Sequence, residues 1–80
     1  MHNRLKGLNG KDVLRILKFF GFQIDRQTGS HQQWKKADNP RSPRVTVDGI
    51  AKSIDPGTLR SIIRQSGFTE DQWVEALDKI

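Results

Sequence analysis

The sequence predicts an α+β fold in which helices pack on one face of a three-stranded antiparallel sheet. Three observations predict it: an amphipathic pattern near the N-terminus, three short alternating segments separated by turn residues, and two capped helical patterns at the C-terminal end. The predicted order is α-β-β-β-α-α. Because the chain has only 80 residues, we expect one domain, residues 1–80, with a core region at about 8–68 and a short acidic helix at 69–80.

The first helix has clear start and stop signals. Asn9 is a good N-cap, and Gly21 supplies a left-handed stop. Apolar residues recur between them at helical spacing: Val13, Leu14, Ile16, Leu17 and Phe20. This stripe predicts that the helix packs against the sheet.

Three strands follow, joined by turn residues. Residues 22–27, FQIDRQ, alternate, so that the apolar side chains share one face and Gln23, Asp25 and Gln27 share the other. The turn TGS leads into HQQWKK, residues 31–36, as the hairpin partner, and RVTVDG, residues 44–49, supplies the third strand. One face of the sheet is therefore apolar and covered by helices, and the other is polar and open.

Two helices complete the chain. In residues 55–68, DPGTLRSIIRQSGF, Asp55 is a predicted N-cap and Gly67 a predicted stop. Thr69 and Gln72 predict a capping box for the last short helix, whose Trp73 faces inward.

The charge is unevenly distributed along the chain. The net charge is +5, but residues 1–67 carry 13 basic and 5 acidic side chains, a net +8, whereas residues 68–80 carry a net −3. A basic body favours polyanions, chiefly nucleic acid, through phosphate neutralisation and counterion release. A domain that is basic for no functional reason explains the charge equally well.

Composition excludes several classes of function. The absence of cysteine rules out disulfides, thiolate metal sites and a cysteine nucleophile, and suits a cytoplasmic protein. No apolar run has membrane-spanning length, so no membrane association is expected. The chain has neither a P-loop nor a dinucleotide fingerprint, and its two histidines lie far apart in sequence. We therefore expect no metal and no small-molecule cofactor.

His31 is the remaining candidate for chemistry. It follows a Gly-Ser turn, and strand alternation places it on the face opposite Trp34. If Trp34 is a core residue, which its strand position favours over a base-stacking role, His31 lies on the open face with Lys35. Arg26 lies across the hairpin, and Ser30 supplies a nearby hydroxyl. The plainer alternative is that His31 is an ordinary polar residue at a strand end.

An exposed imidazole beside cations fits RNA cleavage without a metal. The imidazole would take the proton of a ribose 2′-hydroxyl, and cations would stabilise the charge that develops at the attacked phosphorus. DNA lacks this hydroxyl, so such a site acts on RNA alone. The same cations, Arg26, Lys35 and Lys36, would also hold phosphates without cleavage, which leaves a non-catalytic RNA-binding module open. A DNA-binding helix-turn-helix is disfavoured, because the last helix carries four acidic residues.

Three motifs in order resemble those of the HicA (YcfA-like) toxins of toxin–antitoxin pairs. These are Gly-Phe at residues 21–22, Gly-Ser-His at 29–31, and Gly-Thr-Leu-Arg-Ser-Ile at 57–62, within a resemblance that spans about residues 8–68. The resemblance implies a fold like that of the double-stranded-RNA-binding domain. It also implies an mRNA endonuclease that is held inactive by a HicB-like antitoxin protein.

The resemblance places the catalytic histidine at His31, with Gly29 and Ser30 in the matching turn. The segment PGTLR, residues 56–60, and the basic sheet face would contact RNA or the antitoxin. One departure affects the mechanism: many relatives carry Pro-x-His after the third strand, where this chain has residues 47–50, VDGI. A scheme with two histidines is therefore not available there, and protonation of the leaving group falls to water, Lys35 or another cation.

Overall fold

The computed structural model describes residues 2–39 and 41–80, and its elements follow the predicted order. A single 3-10 turn at Asn3–Leu5 precedes them. The elements are α1 (Gly10–Phe19), β1 (Phe22–Thr28), β2 (His31–Lys36), β3 (Val45–Asp48), α2 (Pro56–Ser66) and α3 (Glu70–Lys79). The strands form one antiparallel sheet in the order β1-β2-β3. The predicted α+β class and the α-β-β-β-α-α order are confirmed.

The helix ends are set by the residues that the sequence indicates. Asn9 caps α1 by accepting a hydrogen bond from the Asp12 amide at 2.7 Å, and Asp55 caps α2 in the same way. Thr69 and Gln72 form the reciprocal capping box of α3. Gly67 closes α2 with a left-handed φ of 80°, a conformation that glycine adopts without steric cost.

A β-bulge in β1 changes which side chains reach the open face. The pairing steps from Ile24 opposite Trp34 to Arg26 opposite Gln33, which leaves Asp25 as the extra residue. After the bulge, Gln27 lies opposite Gln32 on the side of the sheet that the helices cover. The prediction that Gln27 shares the open face with Gln23 is therefore wrong, because the alternation shifts by one residue at the bulge.

The core lies between the sheet and the helices. The sheet contributes Phe22, Trp34, Val45 and Val47, all buried. α1 and α2 pack on this face, and α3 packs on α1. The helices contribute Val13, Ile16, Leu17, Leu59, Ile62, Ile63, Trp73 and Ala76. No helix formed by residues 2–39 and 41–80 covers the opposite face of the sheet, so the polar side chains of all three strands are available there.

The acidic helix α3 completes the core and fastens the N-terminal segment. Trp73 is fully buried, and its indole Nε1 donates to the Ser66 hydroxyl at 3.0 Å. Arg4 forms an ion pair with Asp78, and the His2 amide donates to the Glu70 carboxylate at 2.9 Å. Part of the acidic charge of α3 is therefore used to hold residues 2–5. None of the helices formed by the described residues is both long and apolar enough to span a bilayer.

Candidate functional site

The hairpin between β1 and β2 brings the candidate residues to the end of the open face. Thr28 and His31 are cross-strand partners, so the connection is the two-residue turn Gly29-Ser30. Gly29 has a φ of 60°, whereas no residue other than glycine has a positive φ among those described. This pattern is that of a type II′ turn, whose twist matches that of the strands. The turn therefore fixes His31 as the first residue of β2.

His31 projects from the open face, as the burial of Trp34 requires. Trp34 is three positions further along the strand and lies in the core, so the two side chains point to opposite faces. The imidazole is exposed and makes no hydrogen bond to another described residue. It lines a shallow depression of about 100 Å³. The other residues that line it are Arg26, Thr28, Gln33 and Thr46.

Arg26 reaches this depression because of the bulge. Strict alternation from Phe22 would place Arg26 on the helix-covered face, but the extra residue at Asp25 moves it to the open face. Its side chain is exposed and forms no ion pair with any residue in the described part of the chain. Arg26 is thus an uncompensated cation in the same depression as the imidazole.

Asp25 forms ion pairs with two other cations of the open face. Its two carboxylate oxygens accept from Arg44 Nε at 2.7 Å and Lys35 Nζ at 3.1 Å. The hydrogen bond from Arg44, and then that from Lys35, hold the pKa of the Asp25 carboxyl below its ordinary value. Lys35 therefore lies on the same face as His31, as the sequence predicts, but its charge is shared with a carboxylate.

Lys36 lies away from the other candidates. It pairs with Phe22, on the helix-covered side of the sheet. Its ammonium donates to the Phe20 carbonyl at 2.8 Å and lies 5.4 Å from the centre of the Phe68 ring. These contacts tie the end of β2 to the C-terminal end of α1, so the structure does not bring Lys36 to the His31 face.

The turn residues Gly29 and Ser30 lie beside His31, whereas the segment PGTLR lies on the helix side of the sheet. Gly29 is exposed at the hairpin tip, beside His31. Ser30 is half-buried, and its carbonyl accepts from the Gly49 amide at 3.0 Å, which attaches the turn to the end of β3. Residues 56–60 open α2 on the helix side of the sheet and lie outside the His31 face.

The end of β3 gives His31 an acidic neighbour that the sequence reading did not single out. Asp48 is the cross-strand partner of His31 and alternates with the buried Val47, which places it on the open face. Its carboxylate Oδ1 accepts from the Ile50 amide at 3.1 Å. Asp48 stands within the four residues that replace Pro-x-His, so the structure places a carboxylate, and no second imidazole, beside His31.

Three uncharged residues that line the depression were not among those predicted from the sequence. Thr28, Gln33 and Thr46 supply hydroxyl and amide groups around His31. The register of the strands identifies them, since Thr28 pairs with His31, and Gln33 pairs with both Arg26 and Thr46. Outside residues 1 and 40, no cluster of three or more His, Cys, Asp or Glu side chains is arranged to hold a metal ion.

The fold and this site define a small α+β protein that presents a histidine and cations on the open face of its sheet. Its elements follow the order of the double-stranded-RNA-binding domain, with one further helix at the end. The family model described as "HicA toxin of bacterial toxin-antitoxin" matches residues 10–68. Because the match covers most of the chain, the protein belongs to the HicA toxin family and is the toxin of a toxin–antitoxin pair. A search of curated proteins gave no match.

Proposed function

We propose that the protein is a metal-independent endoribonuclease that cleaves mRNA with His31 as its single catalytic histidine. The observation that carries the proposal is the exposed imidazole in one depression with the uncompensated guanidinium of Arg26. His31 and Arg26 supply the two functions that the chemistry requires, a proton acceptor and a phosphate-binding cation.

The proposed reaction is an internal transesterification. Neutral His31 takes the proton of a ribose 2′-hydroxyl, and the 2′-oxygen attacks the adjacent phosphorus. The bond from phosphorus to the 5′-oxygen breaks, and water protonates that oxygen as it leaves. The products are a 2′,3′-cyclic phosphate and a 5′-hydroxyl. Arg26 stabilises the charge on the phosphoryl oxygens. Lys35 and the Gly29-Ser30 turn make further contacts with the sugar-phosphate backbone of the RNA.

The partner we infer is a HicB-like antitoxin that covers the open face of the sheet in the cytoplasm, where the mRNA substrate is found. Membership of a toxin–antitoxin family supports an antitoxin partner. A partner on the open face would deny RNA access to His31 without changing the fold. Co-expression with a HicB-like protein encoded beside this chain should then abolish cleavage.

The test compares His31→Ala with wild type in the presence of chelator. Because general base catalysis contributes roughly 10²- to 10⁴-fold, we expect cleavage of RNA to fall by about that factor and growth arrest to be lost. His2→Ala is the matched control, since it removes the other histidine and leaves the open face intact. RNA with a 2′-deoxy sugar at the cleaved position should resist the wild-type protein, and the cut ends should carry cyclic phosphate.

Two results would contradict the proposal in different ways. Equal cleavage by His31→Ala and wild type would show that another group takes the proton. Salt-dependent RNA binding by the wild type without cleavage at any concentration would instead identify a non-catalytic RNA-binding module.

A further inference from the structure

We propose that a second cavity, beside the His31 depression, binds a nucleotide of the single-stranded RNA that flanks the cleaved bond. This inference rests on the proposed ribonuclease function and adds a substrate-binding subsite to it. The cavity has a volume of about 250 Å³. It lies where the loop after β3 meets the start of α1, and its lining consists of Asn9, Lys11, Gly49, Ile50, Ala51 and Lys52.

The wall of this cavity is held in place by backbone hydrogen bonds. The Ala51 carbonyl accepts from the Gly10 amide at 2.8 Å, and the Ala51 amide donates to the Asp48 carbonyl at 3.3 Å. A third bond joins the Ile50 amide to the Asp48 carboxylate. Because these bonds fix the loop at both ends, the cavity is preformed, and little ordering is required when a ligand binds.

The charges that line the cavity suit phosphate. Lys11 and Lys52 are both exposed, and neither forms an ion pair with any of residues 2–39 and 41–80. Lys35, by contrast, already shares its charge with Asp25. Two uncompensated ammonium groups at one cavity provide a favourable place for a phosphodiester.

Ile50 gives the same cavity an apolar surface. Its side chain is 77% exposed, the largest exposure among the big apolar side chains described. A single exposed isoleucine is ordinary on a protein surface. In the same cavity as Lys11 and Lys52, however, it offers an apolar contact for the face of a base while the lysines hold the phosphate. Single-stranded nucleic acids are bound by a similar combination of positive charge and base-contacting side chains, most often aromatic ones.

The position of the cavity next to His31 favours RNA over other anions. Gly49 donates to the Ser30 carbonyl at 3.0 Å, and Asp48 pairs with His31 across the sheet. An RNA strand with its reacting phosphate at His31 therefore meets this cavity as it passes the end of β3. An acidic segment of the antitoxin is the competing occupant, and the experiment separates the two.

Binding is measured with single-stranded RNA of about twelve nucleotides and His31→Ala protein, so that no cleavage interferes. For the added pair Lys11→Ala and Lys52→Ala, we expect Kd to rise about tenfold and the slope of log K against log salt to become shallower by about 1.4, since each single-strand phosphate contact contributes about 0.7. Ile50→Ser should weaken binding without changing the slope. The matched control is Lys18→Ala with Arg64→Ala, which removes from the helical side two exposed cations that form no ion pair with any described residue.

Cleavage supplies an independent readout in protein that retains His31. A dinucleotide occupies only the His31 depression, whereas longer RNA also reaches the second cavity. The ratio of cleavage rates for long RNA over a dinucleotide should therefore fall about tenfold in the Lys11 and Lys52 variant. An unchanged ratio would overturn the assignment.

The remaining outcomes distinguish this inference from the proposed function. If the wild type cleaves no RNA but the Lys11 and Lys52 variant still loses affinity and slope, the ribonuclease proposal fails and the RNA subsite stands. If RNA affinity falls no further than in the Lys18 and Arg64 control, the subsite is wrong. If RNA affinity is unchanged while affinity for the antitoxin falls, the cavity binds protein instead.

Discussion

Individual residues of the site differ in how well the sequence predicts their positions. His31 was placed correctly on the open face because the strand alternates from Trp34, a residue large and apolar enough to mark the core. The same alternation places Lys36 with Trp34 on the helix-covered face. Its separation from His31 is therefore predictable from the alternation, although its charge suggested a phosphate contact. Arg26 could be placed across the hairpin but not assigned to the face by alternation, since nothing in FQIDRQ marks the bulge.

Asp25 gives a pH-dependent prediction at the residue scale. Because Arg44 and Lys35 lower the pKa of Asp25 in the folded protein, its ionised form stabilises the fold. Wild type should therefore be more stable than Asp25→Asn at neutral pH. The difference should begin to shrink as the pH falls toward about 4, the ordinary carboxyl value, and should vanish below the lowered pKa.

Urea unfolding of both proteins across this pH range measures the difference. Asp38→Asn is the control, since Asp38 is exposed and pairs with no cation among the described residues. A gap between wild type and Asp25→Asn that persists unchanged at the lowest pH would show that the ion pairs are not its source.

At the scale of elements, helix ends were predictable and inter-element contacts were not. Caps and stops depend on residues within one turn, so Asn9, Asp55 and Gly67 could be assigned from sequence. The closeness of α1 to the end of β3 depends on distant segments. A side chain at Gly10 would overlap the Asp48 and Gly49 carbonyl oxygens, which explains why a helix begins with glycine here.

Gly10→Ala should therefore destabilise the protein although alanine favours helices. Neither backbone oxygen can move without shifting the loop after β3, so we expect a loss of about 1–3 kcal/mol in the free energy of unfolding. RNA cleavage should fall as well, because Asp48 is the strand partner of His31. Urea unfolding and cleavage rates measure the two effects.

Gly57→Ala provides the matched control in the first turn of α2. Its nearest neighbour is Asp55 Oδ2 at 3.1 Å, the side-chain oxygen that caps α2, and this atom has to shift by only a few tenths of an ångström to make room for a methyl group. We expect a change within about 1 kcal/mol. Equal stabilities for the two alanine variants would show that α1 and the end of β3 are not in tight contact.

At the scale of the whole molecule, the arrangement of charge matters more than its sum. The net charge of +5 combines a basic body with an acidic last helix, a division that the sequence already indicates. The structure adds where the two lie: α3 packs on α1, on the helical side, while the open face carries the cations around His31. The match to the HicA family ends at residue 68, so α3 lies beyond it, yet α3 supplies the fully buried Trp73.

This arrangement predicts that removing one negative charge at Asp48 changes RNA affinity more than removing one at Asp71. RNA affinity is measured in His31→Ala protein. Asp71 lies exposed on α3, about 15–20 Å from the open face if helices and sheet are packed about 10 Å apart. Its repulsion of a phosphate at His31 is then below about 0.3 kcal/mol in water, and a Debye length of about 8 Å at 0.15 M salt screens most of it. Asp48 lies beside His31, where a separation of about 6 Å gives about 0.7 kcal/mol.

Asp48→Asn should therefore tighten RNA binding about twofold at 0.15 M salt, because a Debye length of about 8 Å leaves roughly half of the interaction at about 6 Å, while Asp71→Asn changes it by less than about 1.2-fold. Asparagine retains the oxygen that accepts from the Ile50 amide, so the loop after β3 keeps that bond. At 0.01 M salt the Debye length is about 30 Å, close to the 31 Å longest dimension of the molecule, and Asp71→Asn should then tighten binding too. Equal effects of the two variants at 0.15 M salt would mean that RNA binds away from the open face, because only a site near His31 lies so much closer to Asp48 than to Asp71.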